Sequence, residues 1–331
     1  MTTTTTSPDL AAAEVAQRIR QGSNFLITGH RNPDGDALGS AIALQRLIRQ
    51  MGKTSRIVVR DGFAKPLASI PGADEVVISD VLPPDYPKAY DALFTMECPE
   101  VHRTGYQVLP GPVVNIDHHL GNEMYGEINY LDIEAPSVGE MVLQLNRNHL
   151  KLPLDRDTAT AMYVSLATDT GFFRYHNTTL RTFIAAEELV RAGAVPGDVS
   201  LWINESNSRG AIKLLGLCLT TLELHADGKV ATAELPAKFF AEAGAAPEDT
   251  EGIVNYGRSI DSVLISALLK ESDSGTRVSL RAKPGVDVQK VAAMFGGGGH
   301  KAASGCTVPL PLAEAKAKLL PLLAAAVDEA D

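Results

Sequence analysis

The chain has few cysteines, no long apolar run and too little basic charge to balance its acid. Its three cysteines, Cys98, Cys218 and Cys306, are spread over 331 residues. That spacing excludes a disulfide framework and a zinc knuckle, and leaves free thiols in a reducing cytoplasm as the expectation. No stretch approaches the ~18 consecutive apolar residues that cross a bilayer, so no membrane partner is expected. The start, Met1 and threonines 2–6, lacks the basic and apolar regions of a secretory signal and reads as a frayed tail. Lys and Arg number 30 against 40 Asp and Glu, for a net charge of −10. Grip on long duplex nucleic acid relies on extended cationic surface and counterion release, so such a partner is excluded while short anionic ligands are not. The single tryptophan, Trp202, is assigned to packing.

What is present is 45% hydrophobic and 21% charged residues, ordinary for a soluble globular chain long enough for two domains. The organising stretch is Thr-Gly-His-Arg-Asn-Pro-Asp-Gly-Asp at 28–36. An apolar run at 25–27 reads as a buried strand before it, and 41–47 carries a helical pattern after it. Doubly wound α/β proteins bind ligands at such strand-to-helix loops. His30, Asp34 and Asp36 can aim one nitrogen and two carboxylates at a common point, which suits Mn²⁺ or a similar ion. Asn-Pro and Asp-Gly are also turn dipeptides, and an Asp before a helix is often only its cap.

Further strands are expected at 55–60, 75–78, 91–96 and 113–116, alternating with helices as in a parallel sheet covered on both faces. The fourth ends at Glu97 and the fifth at Asp117-His118-His119. Neighbouring residues of a strand point to opposite faces, so at least one of the two histidines should face the crevice. Ser137 and Glu140 are spaced as a capping box. Asp155 or Asp157 caps a buried helix over 158–166 that leads to Asp169-Thr170-Gly171. A carboxylate there is costly unless paired or metal-bound, and the alternative is a simple helix-ending turn.

Past a helix over 181–190 and a two-piece helical stretch over 198–219, the texture changes. A hairpin is expected around Asp227-Gly228 and another around Ser274-Gly275, with helices over 288–295 and 312–327. Between those helices lies Gly296-Gly297-Gly298-Gly299-His300-Lys301. Glycines let backbone N–H groups approach an anion, and the basic pair adds donors, so a phosphate cradle is favoured over a flexible linker. Arg258 and Arg281 could add bidentate phosphate contacts.

Together these motifs resemble the DHH phosphoesterase superfamily, named for the triplet found here as Asp117-His118-His119. The glycine-rich stretch resembles its DHHA1 subfamily, and the whole, from about Ala16 to Val327, is most similar to the nanoRNases. The resemblance implies an α/β fold: a catalytic domain over 1–195 built on a doubly wound, mostly parallel sheet, a helical linker over 196–216, and a smaller α+β substrate-binding domain over 217–331. It implies two Mn²⁺ ions, with Mg²⁺ or Co²⁺ as substitutes. His30 and Asp34 resemble ligands of one ion, and Asp36, His118 and Asp169 ligands of the other. Glu97 stands where the family has a bridging aspartate, with the same charge on a side chain longer by one methylene. Asp117 resembles the supporting carboxylate and His119 the substrate-facing partner, while Arg103, Arg258, Arg281, Gly298, Gly299 and His300 fall at substrate-binding positions.

The implied activity is hydrolysis of di- to pentaribonucleotides to mononucleotides, with removal of phosphate from 3′-phosphoadenosine 5′-phosphate (pAp), in the cytoplasm; a homodimer is allowed. The alternatives are a phosphodiesterase for the linear dinucleotides pApA and pGpG, or a nucleotide-binding protein disabled by Glu97.

Overall fold

In the computed structural model, which describes residues 7–250 and 252–329, the chain forms two compact units divided between Ser206 and Asn207. The division falls within the stretch read as a linker. The threonine-rich start read as a frayed tail lies outside the described residues.

The first unit opens with α1 (Pro8–Gln21), whose first turn is set by Pro8 and by the Ser7 hydroxyl accepting from the Leu10 N–H. Then come β1 (Asn24–Thr28), α2 (Gly35–Gln50), β2 (Thr54–Val59), β3 (Val77–Ile78), β4 (Ala92–Met96), β5 (Val113–Asp117) and β6 (Ile128–Leu131). Every pairing in this sheet is parallel, in the order β3-β2-β1-β4-β5-β6. The chain moves outward from β1 through β2 to β3, then returns to β4 on the other side. The carboxyl ends of β1 and β4 therefore flank the switch point, where open α/β sheets leave a crevice.

On one face Phe25, Ile27, Ile57, Phe94 and Ile116 pack against Leu38 and Ile42 of α2, and against α3 (Val138–Leu145) and α4 (Arg156–Asp169). The opposite face, at Leu26, Val58 and Leu93, is covered by Leu82, Tyr86, Tyr90 and Leu109 from connecting segments rather than by a helix. Asp155 is the residue that caps α4, accepting from the Thr158 N–H at 2.7 Å. The expected capping box at α3 is half formed. Ser137 Oγ accepts from the Glu140 N–H at 3.1 Å, but the Glu140 side chain turns inward to Arg181, whose Nε and Nη2 donate to it at 2.9 and 2.5 Å. Arg181 belongs to α5 (Leu180–Arg191), and α6 (Pro196–Asn204) closes the unit.

The second unit contains α7 (Arg209–Leu219), β7 (Glu223–His225), β8 (Val230–Leu235), α8 (Ala237–Ala243), α9 (Val254–Arg258), β9 (Ile265–Ser272), β10 (Gly275–Ala282), α10 (Val288–Ala293), β11 (Gly298–His300), β12 (Ala303–Val308) and α11 (Leu312–Asp328). Its sheet runs β11-β12-β10-β9-β8-β7 and is antiparallel except between β8 and β9. Both expected hairpins form. The face of Val278, Leu280 and Ala282 packs on α10 and α11; Leu235 and Leu268 of the other face pack on α7 and α9.

Candidate metal centre

The β1–α2 loop gathers the first donors. His30 Nδ1 lies 2.9 Å from the Arg31 carbonyl, which can only accept, so the ring donates there and turns Nε2 inward. That nitrogen is 3.3 Å from Glu97 Oε2 and 3.7 Å from Asp34 Oδ1. Asp34 also caps α2, its Oδ1 accepting from the N–H groups of Asp36 and Ala37. The cap and the ligand readings of Asp34 are thus compatible.

Asp36, two residues on in the first turn of α2, is buried, with its carboxylate at the N-terminus of α3. Its Oδ2 accepts from the Val138 N–H at 2.9 Å, and its Oδ1 from the Gly139 N–H at 3.2 Å and the Ser165 hydroxyl at 2.5 Å. A helix N-terminus favours negative charge at this point. His118, just past β5, repeats the logic of His30. Its Nδ1 donates to the Ala135 carbonyl at 2.9 Å, and its Nε2 is 3.7 Å from Asp36 Oδ2 and 3.9 Å from Asp169 Oδ2. Such outer hydrogen bonds set the tautomer of metal-ligating histidines. Asp169, the last residue of α4, is steadied by Asn177 Nδ2 at 3.2 Å.

Two donor groups result, His30–Asp34–Glu97 and Asp36–Glu97–His118–Asp169, each with its ligand atoms within 4.8 Å of one another. Glu97 belongs to both. It follows β4 with a left-handed backbone (φ 59°), a conformation that costs a non-glycine residue about 1–3 kcal/mol. Its N–H is held by the Ile116 carbonyl at 3.0 Å, and its buried Oε2 has no hydrogen-bond partner.

The electrostatics match this crowding. Burial first, and Asp34 after it, hold Glu97 well above the usual carboxylate range. Burial likewise lifts Asp169 to about 7, with Asp36 and Asp34 adding to it against the opposing His118. For His118 burial disfavours the charged ring, but Asp169, Asp36 and Glu97 outweigh it and raise the group to about 10. A divalent cation supplies the opposite charge such a set calls for. Inward imidazole nitrogens facing carboxylate oxygens, and an orphaned buried Glu97 oxygen, make this a donor set that fits two such ions.

Asp117 lies outside both donor groups. Its Oδ1 accepts from His119 Nδ1 at 2.8 Å and its Oδ2 from Asn122 Nδ2 at 2.6 Å. Arg103 sits in a short turn whose carbonyl accepts from the Arg31 N–H at 2.7 Å, tying it to the His30 loop. Sequence reasoning missed Ser165, Asn177 and Asn122; the only signal near them was the Ser137 cap, which located the α3 N-terminus.

In the second unit the glycine run differs from the expected cradle loop. Gly298–His300 is an edge strand paired with Ala303–Gly305. A side chain at Gly297 or Gly299 would collide with the β12 backbone at Gly305 or Ala303, so those two glycines serve the strand approach. Ser266, Arg281, Ala303 and His300 form one cross-strand row, and in-register neighbours project to the same face. The Ser266 hydroxyl donates to the Val254 carbonyl at 2.7 Å, so α9, ending at Arg258, covers that face. The unit thereby brings Arg258, Arg281 and His300 to one side of its sheet.

Comparison with known proteins agrees with this arrangement. The description of the DHH family, N-terminal domain, matches residues 24–166, and that of the DHHA1 domain matches residues 227–329. The bifunctional oligoribonuclease and PAP phosphatase NrnA of Thermus thermophilus is 31% identical over 296 residues, 89% of this chain and 87% of that protein. A probable NrnA of Streptococcus mutans is 29% identical over 301 residues, 88% of this chain and 91% of that protein. The solved structure of an exopolyphosphatase-related protein from Bacteroides fragilis shares the fold, with a TM-score of 0.87 at 24% identity over 96% of each chain. With a metal-donor crevice at the sheet's switch point and a DHHA1 sheet behind it in sequence, the chain belongs to the DHH family of phosphoesterases.

Proposed function

We propose that the chain hydrolyses short oligoribonucleotides to mononucleotides and removes phosphate from pAp, using two Mn²⁺ ions. The observation that carries this reading is the buried Glu97 carboxylate shared by two donor groups. His30 and Asp34 would hold one ion, Asp36, His118 and Asp169 the other, with Glu97 between them. Mixed imidazole and carboxylate donors favour Mn²⁺ over Mg²⁺, which prefers oxygen and keeps its waters; Mg²⁺ or Co²⁺ are substitutes. When bound, such a pair supplies an activated water and neutralises charge developing at phosphorus.

The chain's own residues do the rest. Asp117 takes the Nδ1–H of His119, which presents Nε2 to the phosphate or its leaving oxygen. Arg103 assists the same phosphate. On the second unit Arg281 and His300, in one row, and Arg258 on the neighbouring helix would hold a further phosphate of the substrate. The net charge of −10 disfavours long nucleic acid, which leaves substrates of a few nucleotides. The proposed place of action is the cytoplasm; no helix of the described residues is long and apolar enough to cross a membrane.

The test is turnover of di- to pentaribonucleotides, pApA, pGpG and pAp with Mn²⁺, set against a long RNA. Mononucleotide release that fades with length and is lost in Asp36→Ala and Asp169→Ala is the expected result. Preference for pApA or pGpG alone would reassign the substrate. Mn²⁺ binding without cleavage of any of them would refute the reading.

A further inference from the structure

Behind the donor groups lies a chain of amides, Asn115 buried and Asn122 half-buried, that the proposed chemistry has not used. Asn122 Nδ2 is 2.7 Å from Asn115 Oδ1 and 2.6 Å from Asp117 Oδ2, so both of its amide protons are committed. Its Oδ1 accepts from the Met124 N–H at 2.7 Å. A reversed amide would set oxygen against two acceptors and NH₂ against an N–H, so the orientation is determined by the contacts themselves. Asn115 is held in turn. Its Nδ2 faces Thr95 Oγ1, the Cys98 carbonyl and the Tyr125 hydroxyl at 3.0, 3.0 and 3.1 Å, which leaves its Oδ1 to accept from Asn122. Tyr125 closes the chain against Thr95 Oγ1 and the Cys98 carbonyl at 2.8 and 3.0 Å.

Asp117 is fully buried. With one oxygen accepting from Asn122, the other accepts from His119 Nδ1 at 2.8 Å. We propose that Asn122 is a positioning residue: held by Asn115 and Tyr125, it fixes the Asp117 carboxylate and through it the Nδ1–H tautomer and ring orientation of His119. The substrate then meets Nε2. This rests on His119 being the substrate-facing residue of the reading above. An acidic residue at position 122 would remove both donors and set carboxylate against carboxylate.

Three measurements test it together. Long-range ¹H–¹⁵N spectra of histidine-labelled, metal-free protein, recorded over a pH series, read the His119 tautomer, with His119→Asn for assignment. Kinetics on pApA with Mn²⁺ compare the wild type with Asn122→Asp and Asn122→Ala, and Mn²⁺ titration of the same proteins reads ion affinity. The wild type should show the Nδ1–H tautomer, and Asn122→Asp should perturb it. A positioned acid or base contributes about 10²–10⁴-fold, so losing its orientation should lower kcat by about 10–100-fold, with KM and Mn²⁺ affinity nearly unchanged. An Nε2–H tautomer in the wild type, unchanged kcat in both variants, or a loss explained by weaker Mn²⁺ binding would overturn the inference. If the wild type cleaves no substrate, the functional reading fails, and the tautomer signals of wild type and variants still decide the role of Asn122.

Discussion

Replacing Glu97 by glutamine keeps its shape and removes one charge from the point shared by the two donor groups. The residue is buried, with Oε2 3.3 Å from His30 Nε2, and burial holds its acid well above the usual range. A carboxyl whose folded pKa is raised destabilises the fold as pH rises above its unfolded value, and the penalty is complete above the folded value. The metal-free Glu97→Gln protein should therefore be more stable than the wild type at neutral pH. Each gain of about 1 kcal/mol appears as a rise in melting temperature of about 2–4 °C for a unit of this size.

The effect on ion binding has the opposite sign. A unit charge pair ~4 Å apart in an effective dielectric of 20 interacts by about 4 kcal/mol. Allowing for screening by the remaining carboxylates, a loss of roughly 3 kcal/mol weakens Mn²⁺ binding about a hundredfold. Thermal melting with and without a Mn²⁺ series reads both numbers in one experiment. A variant less stable than wild type without metal, with an unchanged Mn²⁺ midpoint, would refute the reasoning.

Other consequences follow from the same contacts. His118, raised to about 10, and Asp169, lifted to about 7, hold protons near neutrality that an ion must displace. Mn²⁺ affinity should climb between about pH 6 and 9 with release of about one proton per protein or more; calorimetry in buffers of different ionisation enthalpy checks this, and a flat profile contradicts it. Arg181→Met strands the fully buried Glu140 and should destabilise by about 3–5 kcal/mol in urea denaturation. Gly39→Ala would press a methyl against the Ala161 carbonyl at 2.5 Å, where α2 meets α4; the expected cost is about 1–3 kcal/mol by the same assay. Arg281→Ala and His300→Ala should raise KM for pApA while leaving Mn²⁺ binding intact.

The centre of the site was legible because its donors cluster in sequence. His30, Asp34 and Asp36 share one loop, and Glu97, His118 and Asp169 each follow the end of an apolar element or close a buried helix. What escaped depends on contacts distant in sequence. Ser165 reaches Asp36 across 129 positions, and the inward turn of Glu140 is set by Arg181, 41 residues on. The left-handed backbone at Glu97 breaks a local preference and leaves no trace in composition. β6 was not expected because it is short and only alternately buried. The glycine run misled in part, since two of its members exist to let β11 approach β12.

The most direct test of the two-group centre is to count ions. Titration of Mn²⁺ onto metal-free protein should give two ions per chain in the wild type. Asp36→Ala, which touches only the group containing His118 and Asp169, should keep one and lose turnover of pApA. One ion in the wild type, or two ions with full turnover in Asp36→Ala, would contradict the assignment of Glu97 as the carboxylate between two metals.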